Sequence, residues 1–318
     1  MQKQKILAPM LLLLIFTVCT SAQNPTMPSQ NRDAEKDALY GTFSGAKRVP
    51  VAEKQRLAYE AAREYLRKFA EDKDPELGEV QKFVAEYEKV NREQSLFRTF
   101  QAKNYEETFK LGHVILEREP ENFFVLGIMS QAGLENARAG KSQTNTETVD
   151  YIKRALKLLD ANSVTKAAPF ENIEFARGFL NAGLGSLVKN QSPVEAAAAF
   201  SSAARSDSPF RTDPIIYHRL GTAILNGEFA QLSAEYNQKF GNKPPSSEQQ
   251  AMLERLSKII ARAIDAYARA VALSKSPQQQ EMGAKILEQL TALYKSTHNG
   301  SVAGLDELIA TVLSKPMP

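Results

Sequence analysis

Cysteine occurs once in the 318 residues, histidine three times and tryptophan not at all. A single thiol forms no internal disulfide and no cysteine-based zinc site. None of His113, His218 and His298 has a second histidine at H-E-x-x-H spacing, which would put two imidazole ligands on one helical face. The G-x-S-x-G nucleophile elbow and the G-x-x-x-x-G-K-[ST] phosphate loop are also missing. Carboxylates are plentiful, but no pair is set apart for acid–base work. The sequence therefore predicts no enzyme, no metal and no cofactor. Charge of one sign is lacking too. Without Lys3 and Lys5 of the N-terminal segment, 40 basic residues become 38, facing 37 acidic ones. That balance leaves no electrostatic footprint for nucleic acid.

Alternating β-branched runs bounded by turns are scarce, so strands are not expected. Alanine, leucine, lysine, glutamate and glutamine fill the periodic segments instead, and all are good helix formers. The first 22 residues read as an export signal. Lys3 and Lys5 form a basic start, and Ile6–Val18 is an apolar run interrupted by Pro9 and Thr17. A spanning helix needs about 20 residues, so this run is too short. Thr20-Ser21-Ala22 is a small-residue cleavage site. Cys19 is open to two readings: a lipid-anchored residue, or one removed with the signal. Phe16-Thr17-Val18 lacks the small residue that precedes a lipidated cysteine, which favours cleavage after Ala22.

Residues 23–50, rich in Pro, Ser, Asn and Gly, read as a disordered linker. Leu57, Ala61, Tyr65, Leu66 and Phe69 then recur at helical spacing. Asp74-Pro75 caps a second helix carrying Leu77, Val80, Phe83, Val84 and Tyr87, with continuation through Leu96 and Phe100. Two insertions interrupt the helical pattern further along the chain. Gly140–Thr148 reads as a polar surface loop. In 227–247, Phe229, Leu232, Tyr236 and Phe240 predict a short helix, and Ser246 with Gln249 a capping box. The long helix after it, 247–273, is apolar over a wide arc. The inserted helix is expected to cover its first half.

From Asn104 to Pro120 the chain reads NYEETFKLGHVILEREP. Tyr105, Thr108, Ile115 and Leu116 share a face, and Pro120 ends the helix. About three turns are marginal alone in water, so the stripe must be buried on neighbours. These positions resemble the second helix of a tetratricopeptide repeat, with Thr108 for the usual small alanine and Gly112 for the usual aromatic. Tyr217, Leu220, Gly221 and Ile224 resemble its first helix, as do Leu184, Gly185 and Val188. Ala196, Phe200, Ala203 and Ala204 form the partner of the latter. Ala155-Leu156, and Ala263, Tyr267, Ala270 and Val271, resemble further second helices. Leu287, Leu290 and Tyr294 open a last pair, closed by 302–313. Unlike a regular array, the copies are unevenly spaced.

The resemblance, over roughly 76–313, implies an all-α fold. Helix–turn–helix repeats would stack as an irregular right-handed α-solenoid in a domain 51–313, followed by a tail at 314–318. An irregular helical bundle is the competing architecture. In such arrays the first helices line a concave groove that holds a peptide or partner helix. Matched position by position, Ile215, His218, Thr222, Leu225 and Asn226 face the groove from one copy. Phe179, Ala182, Ser186, Lys189 and Asn190 face it from another. Asn190 and Asn226 occupy equivalent places. An amide pair can bracket a peptide backbone, although asparagine is also favoured at helix C-termini. Gly178, Gly183 and Gly185 read as close helix contacts.

The expected function is a non-catalytic scaffold, exported to the periplasm or outside the cell, that binds protein or peptide partners at the envelope. A structural or self-associating envelope component is the second reading. A helical cell-wall enzyme with an unrecognised site is the third. Membrane contact is expected only through the signal or a lipid on Cys19.

Overall fold

The computed structural model describes residues 29–318 except 242, 243 and 245. The export signal, Cys19 and the first residues of the expected linker lie outside them. Among the described residues every regular element is helical and none is a strand. The fold is all-α, as the helix-forming composition predicts. The chain forms two compact units, the first ending at Lys89 and the second running Val90–Pro318. The division falls inside the expected stretch 51–313.

In the first unit lie α1 (Ser29–Ala46), α2 (Ala52–Phe69) and the start of α3 (Leu77–Gln101). Most of the expected disordered linker is thus helix α1. Pro25, Pro28 and Pro50 flank this helix in sequence but no proline lies inside it, and Leu39, Tyr40 and Phe43 fall on one helical face. Phe43 is completely buried with Ala58, Ala62, Tyr65, Phe69 and Val80. The buried stripe of α2 runs through Ala58, Ala61, Ala62, Tyr65 and Phe69. Leu57, expected in it, is 40% exposed. The connection between α2 and α3 is tied to α1 by charge. Asp72 accepts from Arg32 at 2.7 Å and Lys36 at 3.0 Å, and Asp74 pairs with Lys36 at 2.5 Å. The Tyr65 hydroxyl also donates to Asp74.

The second unit continues with α4 (Tyr105–Arg118), α5 (Phe123–Arg138), α6 (Asn145–Asp160), α7 (Ile173–Val188) and α8 (Pro193–Arg205). Then come α9 (Pro214–Ile224), α10 (Ala230–Phe240), α11 (Ser247–Leu273), α12 (Gln280–Thr297) and α13 (Leu305–Thr311). From α4 to α9 each helix packs on the next in the chain. α9 then packs on α11, and α11 on α12. Consecutive elements tend to be neighbours in space, and each amphipathic face is buried by the next helix along. Thr108, in its substituted position, is fully buried, and its hydroxyl donates to the Asn104 carbonyl at 2.8 Å. The loop expected at 140–148 is shorter than predicted. Asn145–Thr148 belongs to α6, and Thr148 is buried with its hydroxyl on the Thr144 carbonyl.

The inserted helix is present as α10. Leu232 and Phe240 are buried with Met252 and Leu256 of α11, joined by Phe229, Tyr236 and Ile259. Ser246 caps α11, its hydroxyl accepting from the Gln249 amide at 3.1 Å. Gly227, however, does not stop α9. A π-helical turn, Leu225–Phe229, carries the helix on into α10. A side chain at Gly227 would meet the Val194 amide at 2.9 Å, so the glycine permits close approach of α8 rather than a break. The tail is also held in place. The Arg269 guanidinium donates to the carbonyls of Lys315 at 2.9 Å and Pro316 at 3.0 Å, and Arg205 to that of Pro318 at 3.0 Å.

Candidate functional site

Helices α5, α7 and α9 each open on a side-chain cap, which fixes their starts. Asn122 accepts from the Val125 amide at 3.2 Å, Asn172 from Phe175 at 2.8 Å and Asp213 from Ile215 at 2.9 Å. Pro214 takes the first turn of α9, where its missing amide costs nothing. Each of these helices is the first member of a packed pair: α5 with α6, α7 with α8, and, past the inserted α10, α9 with α11. α5 also meets α7.

Together they wall a cleft of about 390 Å³. Leu134, Phe179, Leu187, Phe210, Ile215 and Ile216 supply its apolar surface, and Arg138, Ser186, Asp213 and Arg219 its polar groups. Gly183 allows α5 to come close, since a side chain there would meet Leu134 Cδ1 at 2.6 Å. Aromatic rings back the cleft: Phe179 lies 5.5 Å from Phe170 and 6.4 Å from Phe210, and Phe175 5.6 Å from Phe210. Ring pairs at these spacings favour tilted and edge contacts. Arg219 donates to the Ser186 hydroxyl at 2.9 Å. Arg138 pairs with Glu135. The one carboxylate in the wall, Asp213, serves as a helix cap.

Of the residues expected on a groove, Phe179, Ala182, Ser186 and Ile215 line this cleft. His218 and Thr222 turn the other way. The His218 Nε2 lies 2.9 Å from Gln289 Oε1 of α12, and the Thr222 hydroxyl 3.0 Å from that of Tyr267 in α11. Burial pushes the Tyr267 phenol pKa up. Leu225 packs against the core. Lys189 and Asn190 are exposed just past α7, and Asn226 is exposed within the π turn. The two asparagines therefore do not occupy equivalent helix ends. Leu134, Arg138, Leu187, Phe210 and Arg219 were not singled out by sequence. Arg219 carries a usable signal, four residues from Ile215 and so on the same side of α9.

A second, more open hollow of about 590 Å³ lies among Lys258, Arg262, Ile264, Tyr294, His298 and Leu308. Among the described residues no three His, Cys, Asp or Glu side chains converge as metal ligands, and no helix is long and apolar enough to cross a membrane. Comparison of the chain with protein-family models, with curated proteins and with solved structures finds no match.

Proposed function

We propose that this chain is an exported, non-catalytic scaffold of tetratricopeptide-like helix pairs, stacked as an irregular right-handed solenoid, that holds a protein or peptide partner at the cell envelope. The observation that carries the reading is the cleft walled by the first helices of three successive pairs. Its mixed apolar and polar lining suits a segment of polypeptide, with apolar groups supplying burial and a few polar groups fixing orientation. The cleft offers no acid and base within reach of one another, because Asp213 already caps α9.

Self-association calls for a contiguous apolar face. The exposed large apolar side chains are instead dispersed over many elements, among them Val90, Val114, Val194, Ile215, Leu253 and Leu287. That distribution favours a binder over a self-assembling component.

Photo-crosslinking in envelope preparations tests the reading. A photoreactive residue at Ile215 is expected to trap a discrete partner, and one at Leu253, equally exposed on α11, is expected not to. Equal trapping from both positions would remove the cleft from consideration. For export, residues 1–22 fused to a reporter lacking its own signal should carry it out of the cytoplasm. A reporter retained inside would refute that part.

A further inference from the structure

We propose that the cleft selects a partner segment carrying an acidic side chain beside a bulky apolar one, with Arg219 as the carboxylate-binding group. The proposal rests on the polypeptide-binding reading of the cleft and deepens it.

Arg219 is half-buried in a wall that is otherwise mainly apolar. Its guanidinium has five N–H donors, and the hydrogen bond within the fold goes to a neutral acceptor, the Ser186 hydroxyl at 2.9 Å. That hydroxyl in turn donates to the Ala182 carbonyl at 2.8 Å. Among the described residues no carboxylate oxygen lies within 4.0 Å of Arg219. Most other arginines of the second unit are differently placed. Arg138, Arg154, Arg177, Arg262 and Arg269 each have a carboxylate partner. A partly desolvated cation is normally paired, and guanidinium matches carboxylate in a two-pronged geometry.

The remaining charges of the cleft do not supply the missing anion. Arg138 adds a second cation, already paired with Glu135. Asp213 is committed to the Ile215 amide. Arg138 is thus offset by Glu135, and the Arg219 guanidinium is the cation of the cleft without a carboxylate of its own, the point at which a negative group would be received. An inorganic anion would leave the apolar lining uncovered. Leu187 and Phe179 lie on the α7 side of Arg219 and Ile215 one turn away on α9, so apolar contact continues on either side of the cation. That arrangement fits an acidic side chain within a segment that runs through the cleft, rather than a chain terminus that stops there.

The test uses the full chain and an array of octapeptides blocked at both ends by acetyl and amide groups. Retained peptides are expected to place Asp or Glu within a few positions of Leu, Ile or Phe. Replacing that acid by its amide should weaken binding about tenfold, the loss of one charge-assisted hydrogen bond of roughly 1.4 kcal/mol. Arg219→Gln keeps a donor for Ser186 and should erase the difference between acidic and amide peptides, with the helical circular dichroism unchanged. Peptides that bind wild type and fail with Ile215→Glu, yet show no preference for acid, would overturn the Arg219 assignment and leave the cleft reading standing. Binding only of peptides with a free C-terminal carboxylate would overturn the side-chain source. Retention that neither Arg219→Gln nor Ile215→Glu alters would overturn both readings.

Discussion

In the first unit Asp72 and Asp74 draw Arg32, Lys36 and Tyr65 together at one end of α1 and α2. Lys47 and Tyr40 meet on Glu79 of α3 in the same manner. The second unit joins successive helices differently. Small residues sit under large ones, Gly183 beneath Leu134 and Gly185 beneath the Phe200 ring, with Ala196, Ala203 and Ala204 buried around them. In the first unit charges at helix ends orient elements around a small aromatic core of Phe43, Tyr65 and Phe69. Close packing of small on large side chains can be repeated from pair to pair, each pair relying on the next.

The contrast breaks most readily at Phe200, a fully buried ring between α7 and α8. Phe200→Ala should cost about 3–5 kcal/mol, read as a fall in the urea midpoint of the second unit, with proteolysis reporting which unit opens. A cost under about 1 kcal/mol, the level of an ordinary surface change, would show that packing is not what holds these helices. A smaller effect is expected at Gly183. Its added methyl would overlap Leu134, and Gly183→Ala should cost about 1–3 kcal/mol. Combining it with Leu134→Ala removes the overlapping atoms, so the double variant should lose less than the two singles added together. Strict additivity would mean that the close approach of α5 and α7 is not the constraint.

The first unit should differ in acid. Its partners hold four carboxyls below the usual range: Arg67 and Lys68 for Glu64, pushed down to about 2, Arg32 and Lys36 for Asp72, Glu76, Lys36 and Tyr65 for Asp74, and Lys47 and Tyr40 for Glu79. Glu76 is raised by Asp74 and acts in the opposite sense. A carboxyl depressed in the folded state adds stability that is complete above its unfolded pKa, about 4, and is lost as pH falls through the folded value. In the second unit, Glu281 is held down in this way by Lys285. Between about pH 4 and pH 2, pepsin should therefore cut within the first unit before the second, and Asp74→Asn should blunt that dependence. Earlier cleavage in the second unit would reverse the comparison.

Most helices were legible because their stripes are. Phe229, Leu232, Tyr236 and Phe240 announced α10 and its place on α11. Where composition competed with periodicity, composition misled. The Pro, Ser and Gly content around α1 outweighed the short run Leu39, Tyr40, Phe43. Gly227 opened the expected insertion, yet its backbone runs on helically with that of Val194 against it. The cleft was half visible for a similar reason. α5 is apolar nearly all round, with Val125, Leu126, Ile128, Met129 and Ala132 all buried, so no face of it stood out and Leu134 and Arg138 passed unnoticed. His218 and Thr222 had the right period for a groove. The broad apolar arc of α11 instead brings Tyr267 across to them.

Leu57 offers the mildest test of the same contrast. Periodicity puts it with Ala61 and Tyr65, but four of the five buried positions of α2 are Ala58, Ala61, Ala62 and Tyr65, one step round the helix, and Leu57 stays 40% exposed. If the first unit is held by its small aromatic core and by charges at the helix ends, an exposed leucine contributes little. Leu57→Gln keeps helix propensity and should change stability by less than about 0.5 kcal/mol. Ala58→Leu, at a fully buried site, should overpack the core and cost about 1–3 kcal/mol. Thermal melts of the two variants should therefore separate clearly. Equal shifts would put Leu57 in the core and return the stripe of α2 to its sequence-predicted register.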